Sequence, residues 1–150
     1  MRVAALAAAL VAALFLVAPA AAILVPQQGM AGIRLGMTQA KVRAKLGKPA
    51  SVTHGSNDFG NYTELRYPGL RVTFQGNAAV SAIRTGARRE RTARGIGVGS
   101  TVAAVRARVP GVRCERGHCF VGKFLPGRRV TDFFLRKGRV SAITVGFVLD

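Results

Sequence analysis

Acidic residues are scarce in this chain, tryptophan is absent, and histidine and cysteine occur only twice each. Of 150 residues, six are Asp or Glu against 23 Lys and Arg, a formal net charge of +17. The acids Asp58, Glu64, Glu90, Glu115, Asp132 and Asp150 show no paired spacing suited to general acid–base work. Two histidines, His54 and His118, with scattered carboxylates do not make a metal cluster. His54 lies near Ser51 and Asp58, but in a turn-rich segment with no glycine-flanked nucleophile, so no triad is read there. No glycine-rich phosphate loop follows a strand pattern. These absences point away from an enzyme and leave no cofactor or metal motif. The lack of tryptophan also removes the largest anchor that protein-gripping surfaces use.

The two cysteines, Cys114 and Cys119, fall in the run Cys-Glu-Arg-Gly-His-Cys. An even count in an exported chain favours a structural disulfide, and directly opposed hairpin residues sit at the separation that bond needs. Four intervening residues do not fit the redox C-x-x-C spacing.

The first 22 residues read as a targeting segment. Arg2 is a minimal positive start, residues 3–17 are an unbroken apolar run, and Ala20, Ala21 and Ala22 supply small residues for cleavage. The longer apolar stretch, residues 3–25, is also long enough to span a bilayer as a retained anchor. Export follows under the first reading. The cationic field then attracts an acidic partner protein, an anionic envelope polymer or lipid headgroups, since export argues against nucleic acid. A purely compositional excess of arginine that keeps a small protein soluble is the plainer alternative.

What the sequence does have is a repeat. Residues 33–46 and 96–109 match at a constant offset of 63, identical at Ile33/Ile96, Gly36/Gly99, Thr38/Thr101, Ala40/Ala103, Val42/Val105, Arg43/Arg106 and Ala44/Ala107. Val80-Ser81-Ala82-Ile83 recurs as Val140-Ser141-Ala142-Ile143, offset by 60. Such self-similarity signals duplicated supersecondary units. In each copy a threonine stands as N-cap before a short apolar stripe, Val42 with Leu46 and Val105 with Val109. Gly47 with Pro49, and Pro110 with Gly111, stop the two helices. Strands follow each helix, with Pro68-Gly69, Gly76-Asn77, Pro126-Gly127 and Lys137-Gly138 as turns.

The expected fold is therefore α+β: two tandem modules, each a short helical element packed on its own antiparallel sheet. The boundaries are a signal at 1–22, a flexible lead at 23–31, module one at 32–85, a basic linker at 86–95 and module two at 96–150. The linker carries Arg88, Arg89, Arg91 and Arg94 and reads as a solvated join, an anion-binding arm or a dibasic processing site.

The pattern Ile33-x-Leu35-Gly36-Met37-Thr38, with Val42 and Leu46-Gly47-x-Pro49, resembles the signature of the BamE/SmpA-like fold. That group includes small outer-membrane-assembly lipoproteins and, as a tandem relative, the secreted β-lactamase inhibitory proteins. The resemblance implies helix-on-sheet modules whose sheets form a surface for a partner protein. This chain departs from the lipoproteins in having no lipid-acceptor cysteine after its apolar run.

Strand alternation places the binding surface on the outward sheet face, with Tyr62, Arg66 and Arg71 from the first copy and Lys123, Arg129 and Phe133 from the second. The functional expectation is an exported, non-enzymatic protein that binds an acidic protein or anionic envelope component through a basic sheet face. The alternative is a secreted proteinaceous inhibitor of a hydrolase.

Overall fold

Two short strands, β1 (Gly29–Met30) and β2 (Ile33–Arg34), precede the first helix, α1 (Gln39–Leu46). Four strands follow: β3 (Ser51–Asn57), β4 (Gly60–Tyr67), β5 (Leu70–Gln75) and β6 (Ala82–Thr85). After the join come α2 (Val102–Arg108), β7 (Arg113–Glu115), β8 (His118–Gly122), β9 (Arg129–Arg136) and β10 (Arg139–Phe147). This computed structural model describes residues 23–150, so the expected signal at 1–22 lies outside the described residues.

The helix ends form as the residue types dictate. The Thr38 hydroxyl accepts from the Lys41 amide at 3.3 Å, and Thr101 accepts from the Ala104 amide at 3.2 Å. Gly47, at φ +78°, ends α1 and donates its amide to the Arg43 carbonyl. Val42 and Val105, equivalent in the repeat, are the fully buried residues of the two helices.

The two repeated motifs touch in each half. Gly36 donates to the Val80 carbonyl and Gly99 to the Val140 carbonyl, both at 2.8 Å. The valine amides return to the Met37 and Ser100 carbonyls at 2.8 and 2.9 Å. Both glycines hold a positive φ, +85° and +93°, a conformation costly for any residue with a Cβ. The invariance between copies thus follows from one local docking unit used twice.

The sheet overturns the expectation of two tandem helix-on-sheet modules. The described chain is mostly β, 48% strand and 12% helix, and all eight long strands form one antiparallel sheet in the order β3-β4-β5-β6-β10-β9-β8-β7. The fusion lies between β6 and β10, where Ile83 faces Val145 and Thr85 faces Ile143. Each half alone would leave a long edge of unpaired amides and carbonyls with a buried apolar face, and pairing the two edges satisfies both. Periodicity marks strands but not the partner each edge will find. The last strand is accordingly interior, between β6 and β9.

One core underlies the whole sheet. Leu65, Val72 and Phe74 from the first half and Phe133, Ile143 and Val145 from the second are all buried, and Val42 and Val105 pack into the same cluster. Both helices therefore cover the same face of the sheet. The expected flexible lead is part of this layer: Leu24 and Met30 are buried, the Leu24 amide donates to the Arg91 carbonyl, and the Gln27 amide donates to Thr131 Oγ1.

Candidate functional site

The opposite, helix-free face carries the chemistry. Its register aligns one row of residues across all eight strands. Ser51 faces Arg66, Arg66 faces Arg71, and Arg71 faces Arg84. Arg84 then faces Thr144, Thr144 faces Asp132, Asp132 faces Phe120, and Phe120 faces Arg113. Three arginines thus stand side by side on β4, β5 and β6. Like charges directly opposite each other disfavour a sheet, so this row costs stability unless other groups absorb it.

Those groups are present. Glu64 bridges two of the three cations, with its Oε1 at 2.9 Å from Arg66 Nε and its Oε2 at 3.4 Å from Arg71 Nε. Arg84 lies over the Phe134 ring at 4.5 Å and donates to Thr144 Oγ1 at 3.1 Å. A depression at this end of the row is lined by Arg66, Arg71 and Arg84 together with Gly69 and Gly86. Forked, partly exposed donors around a depression suit a carboxylate.

At the other end of the row, His118 Nδ1 donates to Asp132 Oδ1 at 2.9 Å, and its Nε2 lies 3.8 Å from Glu115 Oε2. Burial raises the Asp132 pKa above its ordinary value; the His118 hydrogen bond and the charges of His118 and Arg84 oppose that shift. Phe120 packs against Phe124 edge-on at 5.0 Å and against His118 at 5.3 Å, and Arg113 covers the Phe120 ring at 4.9 Å. Phe124 itself is about half exposed. Cys114 and Cys119, directly opposed on β7 and β8, are joined as a disulfide that ties this corner.

The residues expected on the binding face divide by strand. Tyr62, Arg66 and Arg71 lie together on the helix-free face. Lys123 is exposed just beyond β8 and lines a depression with Gln27 and Arg129. Phe133 is fully buried in the core, and Arg129 shares its side of β9, stacked on Phe147 at 5.5 Å. The phase of β9 is opposite to the expected one. A one-residue slip moves every side chain to the other face, and adjacent Phe133 and Phe134 left the alternation ambiguous. Asp132 was the available signal: a carboxylate belongs on the wetter face, which places Phe134 with it. Arg84, Phe134 and the His118–Asp132 pair were not anticipated, because they meet through pairings between distant strands.

The basic join is not a free arm. Glu90 within it is fully buried, with Arg89 Nε at 3.1 Å from its Oε1. Arg89 also donates to the Pro68 carbonyl, and Arg91 donates to the carbonyls of Gly95 and Val98. Arg88 and Arg94 are exposed. Ser51 and His54 lie on opposite faces of β3, with His54 Nδ1 donating to Thr63 Oγ1 at 3.0 Å. Among the described residues no group of three His, Cys, Asp or Glu is arranged to hold a metal ion, and no helix is long and apolar enough to cross a membrane.

No family model and no curated protein match the chain. Two solved structures are similar. One is an extracellular protein containing an SCP domain from Bacillus anthracis strain Ames, with a TM-score of 0.53 at 9% identity over 75% of this chain and 44% of that one. The other is a DUF4309 family protein, YjgB, from Bacillus subtilis subsp. subtilis strain 168, with a TM-score of 0.44 at 15% identity over 73% of this chain and 78% of that one. The first likeness is one of fold, and the chain spans less than half the length of that protein. Neither bears on the BamE/SmpA-like resemblance of the repeated motif.

Proposed function

We propose that this chain is an exported, non-enzymatic binding protein that grips an acidic partner protein with the helix-free face of its sheet. The observation that carries the reading is the row Arg66–Arg71–Arg84, three like charges in register around one depression. A partner carboxylate seated there relieves the repulsion and gains charge-assisted, forked hydrogen bonds. Tyr62, Phe134 and Phe124 on the same face supply aromatic contact area of the kind that anchors protein interfaces.

Export is supported by the signal-like residues 1–22 and by the Cys114–Cys119 bond, since disulfides persist in oxidising compartments. Binding rather than turnover is favoured by the state of the two histidines. His118 is held between two carboxylates, and the Thr63 hydroxyl that meets His54 is buried and donates its proton to Asn77 Oδ1 at 2.8 Å rather than to the ring.

The test is affinity capture from culture supernatant and envelope extract with the chain and with its Arg71→Glu/Arg84→Glu variant. The expected result is an acidic protein held stoichiometrically by the chain and missing from the variant. A partner retained equally by both, or no stoichiometric partner at all, overturns the reading.

A further inference from the structure

Much of the positive charge of the chain lies away from the face just described. The helix-free face sets Glu64, Asp132 and Glu115 among its arginines. The remaining acids are the buried Glu90, Asp58 in the β3–β4 turn, and Asp150, the last residue. No acid precedes Asp58 in the sequence, and none lies between Glu90 and Glu115. Those two acid-free stretches contain β1, β2, α1 and α2, the elements that cover the other side of the sheet. Neither helix has an acidic residue in its first turn, and both carry arginine or lysine in their last.

The charged residues exposed on the helices and β2 of this layer are accordingly all cationic. Arg34 on β2, Lys41, Arg43 and Lys45 on α1, and Arg106 and Arg108 on α2 are all exposed. None of them forms an ion pair among the described residues. Unpaired cations spread over two helices produce a broad field rather than a pocket. Next to Arg108 the surface turns apolar: a groove is lined by Val109, Pro110, Leu24, Val25 and Ile23, with Ile23 55% and Val25 37% exposed.

From these placements we infer that the helix-bearing face is a docking surface for an anionic phospholipid bilayer, separate from the partner-binding sheet face. Charge complementarity selects an anionic surface, and each lysine or arginine near such a membrane adds to the attraction. The exposed apolar rim selects a bilayer over a soluble polyanion, which offers nothing for Ile23 and Val25 to enter. Lying on its helices, the protein presents the arginine row away from the membrane.

The full chain is mixed with vesicles of phosphatidylglycerol and phosphatidylcholine, and with vesicles of phosphatidylcholine alone, and the bound fraction is measured by sedimentation. Binding at least about tenfold stronger to the phosphatidylglycerol vesicles is expected, weakening as salt is raised from about 0.05 to about 0.5 M. Lys41→Gln/Lys45→Gln/Arg106→Gln/Arg108→Gln should lose about tenfold or more of that preference. Arg66→Gln/Arg71→Gln, on the other face, should keep it, and matching circular dichroism of both variants verifies the fold. Equal binding to both vesicle types refutes the inference, as does an unchanged quadruple variant or an equal loss in the sheet-face control. Capture of sodium polyphosphate in solution with no vesicle binding also refutes it, in favour of a polymer ligand.

Discussion

Arg71 and Arg84 stand directly opposite each other on β5 and β6, two like charges in register at the middle of an eight-stranded sheet. Arg71 leans on Glu64, and Arg84 turns away over Phe134. Such a pair disfavours strand pairing, a cost that the proposed carboxylate ligand would offset on binding.

Arg71→Thr should therefore leave stability unchanged or raise it by up to about 0.5 kcal/mol, because it removes a repulsion and only the longer arm of a partly exposed ion pair, leaving Glu64 paired with Arg66. Chemical denaturation measures the stability, and the same variant should lose the acidic partner. A stability loss well above about 1 kcal/mol would mean that the row is structural.

Arg84→Ala should behave differently. It removes the guanidinium from the Phe134 face and its bond to Thr144, at a cost of about 1 kcal/mol. Comparing the two variants separates the arginine held by a shared ion pair from the one that packs on an aromatic ring.

Asp132 gives a pH dependence of defined sign. Its folded pKa is raised by burial above the ordinary value of 3.8, so the folded state holds this proton more tightly than the unfolded state does. The stability contributed by the protonated form is present in full below the unfolded pKa and is lost as pH rises through the folded pKa. Relative to Asp132→Asn, the chain should become less stable as pH climbs from 3.8 through that raised value. Urea midpoints across an acid-to-neutral series measure it, and parallel curves would contradict the assignment.

The buried Glu90 makes the join sensitive to one neighbour. Its Oε1 meets Arg89, while its Oε2 has no hydrogen-bond partner among the described residues. Arg89→Ala leaves a buried carboxylate without its cation and should cost about 3 kcal/mol, whereas the double variant Arg89→Ala/Glu90→Gln should recover part of that loss. Thermal unfolding of the pair of variants gives the comparison.

Reducing Cys114–Cys119 opens a loop of only six residues and should cost about 2 kcal/mol on the chain-entropy account. Thiol titration of the denatured, unreduced chain should find no free cysteine. Two free thiols would refute the bond.

Much of the local structure is legible without coordinates. Thr38 and Thr101 are caps, Gly47 is a stop, the Pro-Gly and Gly-Asn pairs are turns, and Cys114 with Cys119 marks a hairpin, because each depends on interactions within a few residues. Glu64 holds both Arg66, two residues along its own strand, and Arg71 on the next strand. Phe133 and Arg129 were placed on the wrong face because alternation fixes a strand's period but not its phase when two phenylalanines are adjacent. The join was expected to be solvated because its charge density is high. Burial of Glu90 depends on a partner, Arg89, and on a layer that only the folded chain provides.

The sequence by itself determined the repeat, the caps, the turns and the excess of positive charge, all properties of short-range chemistry or of composition. Only the tertiary structure decided that the two copies share one sheet, since the edges of β6 and β10 can be satisfied by each other and neither edge encodes that choice locally. The same pairing decided where the charge lies. It aligns Arg66, Arg71 and Arg84 from three strands on one face and gathers the acid-free helices on the other. A count of +17 names a field; the strand register gives that field two faces with different chemistry.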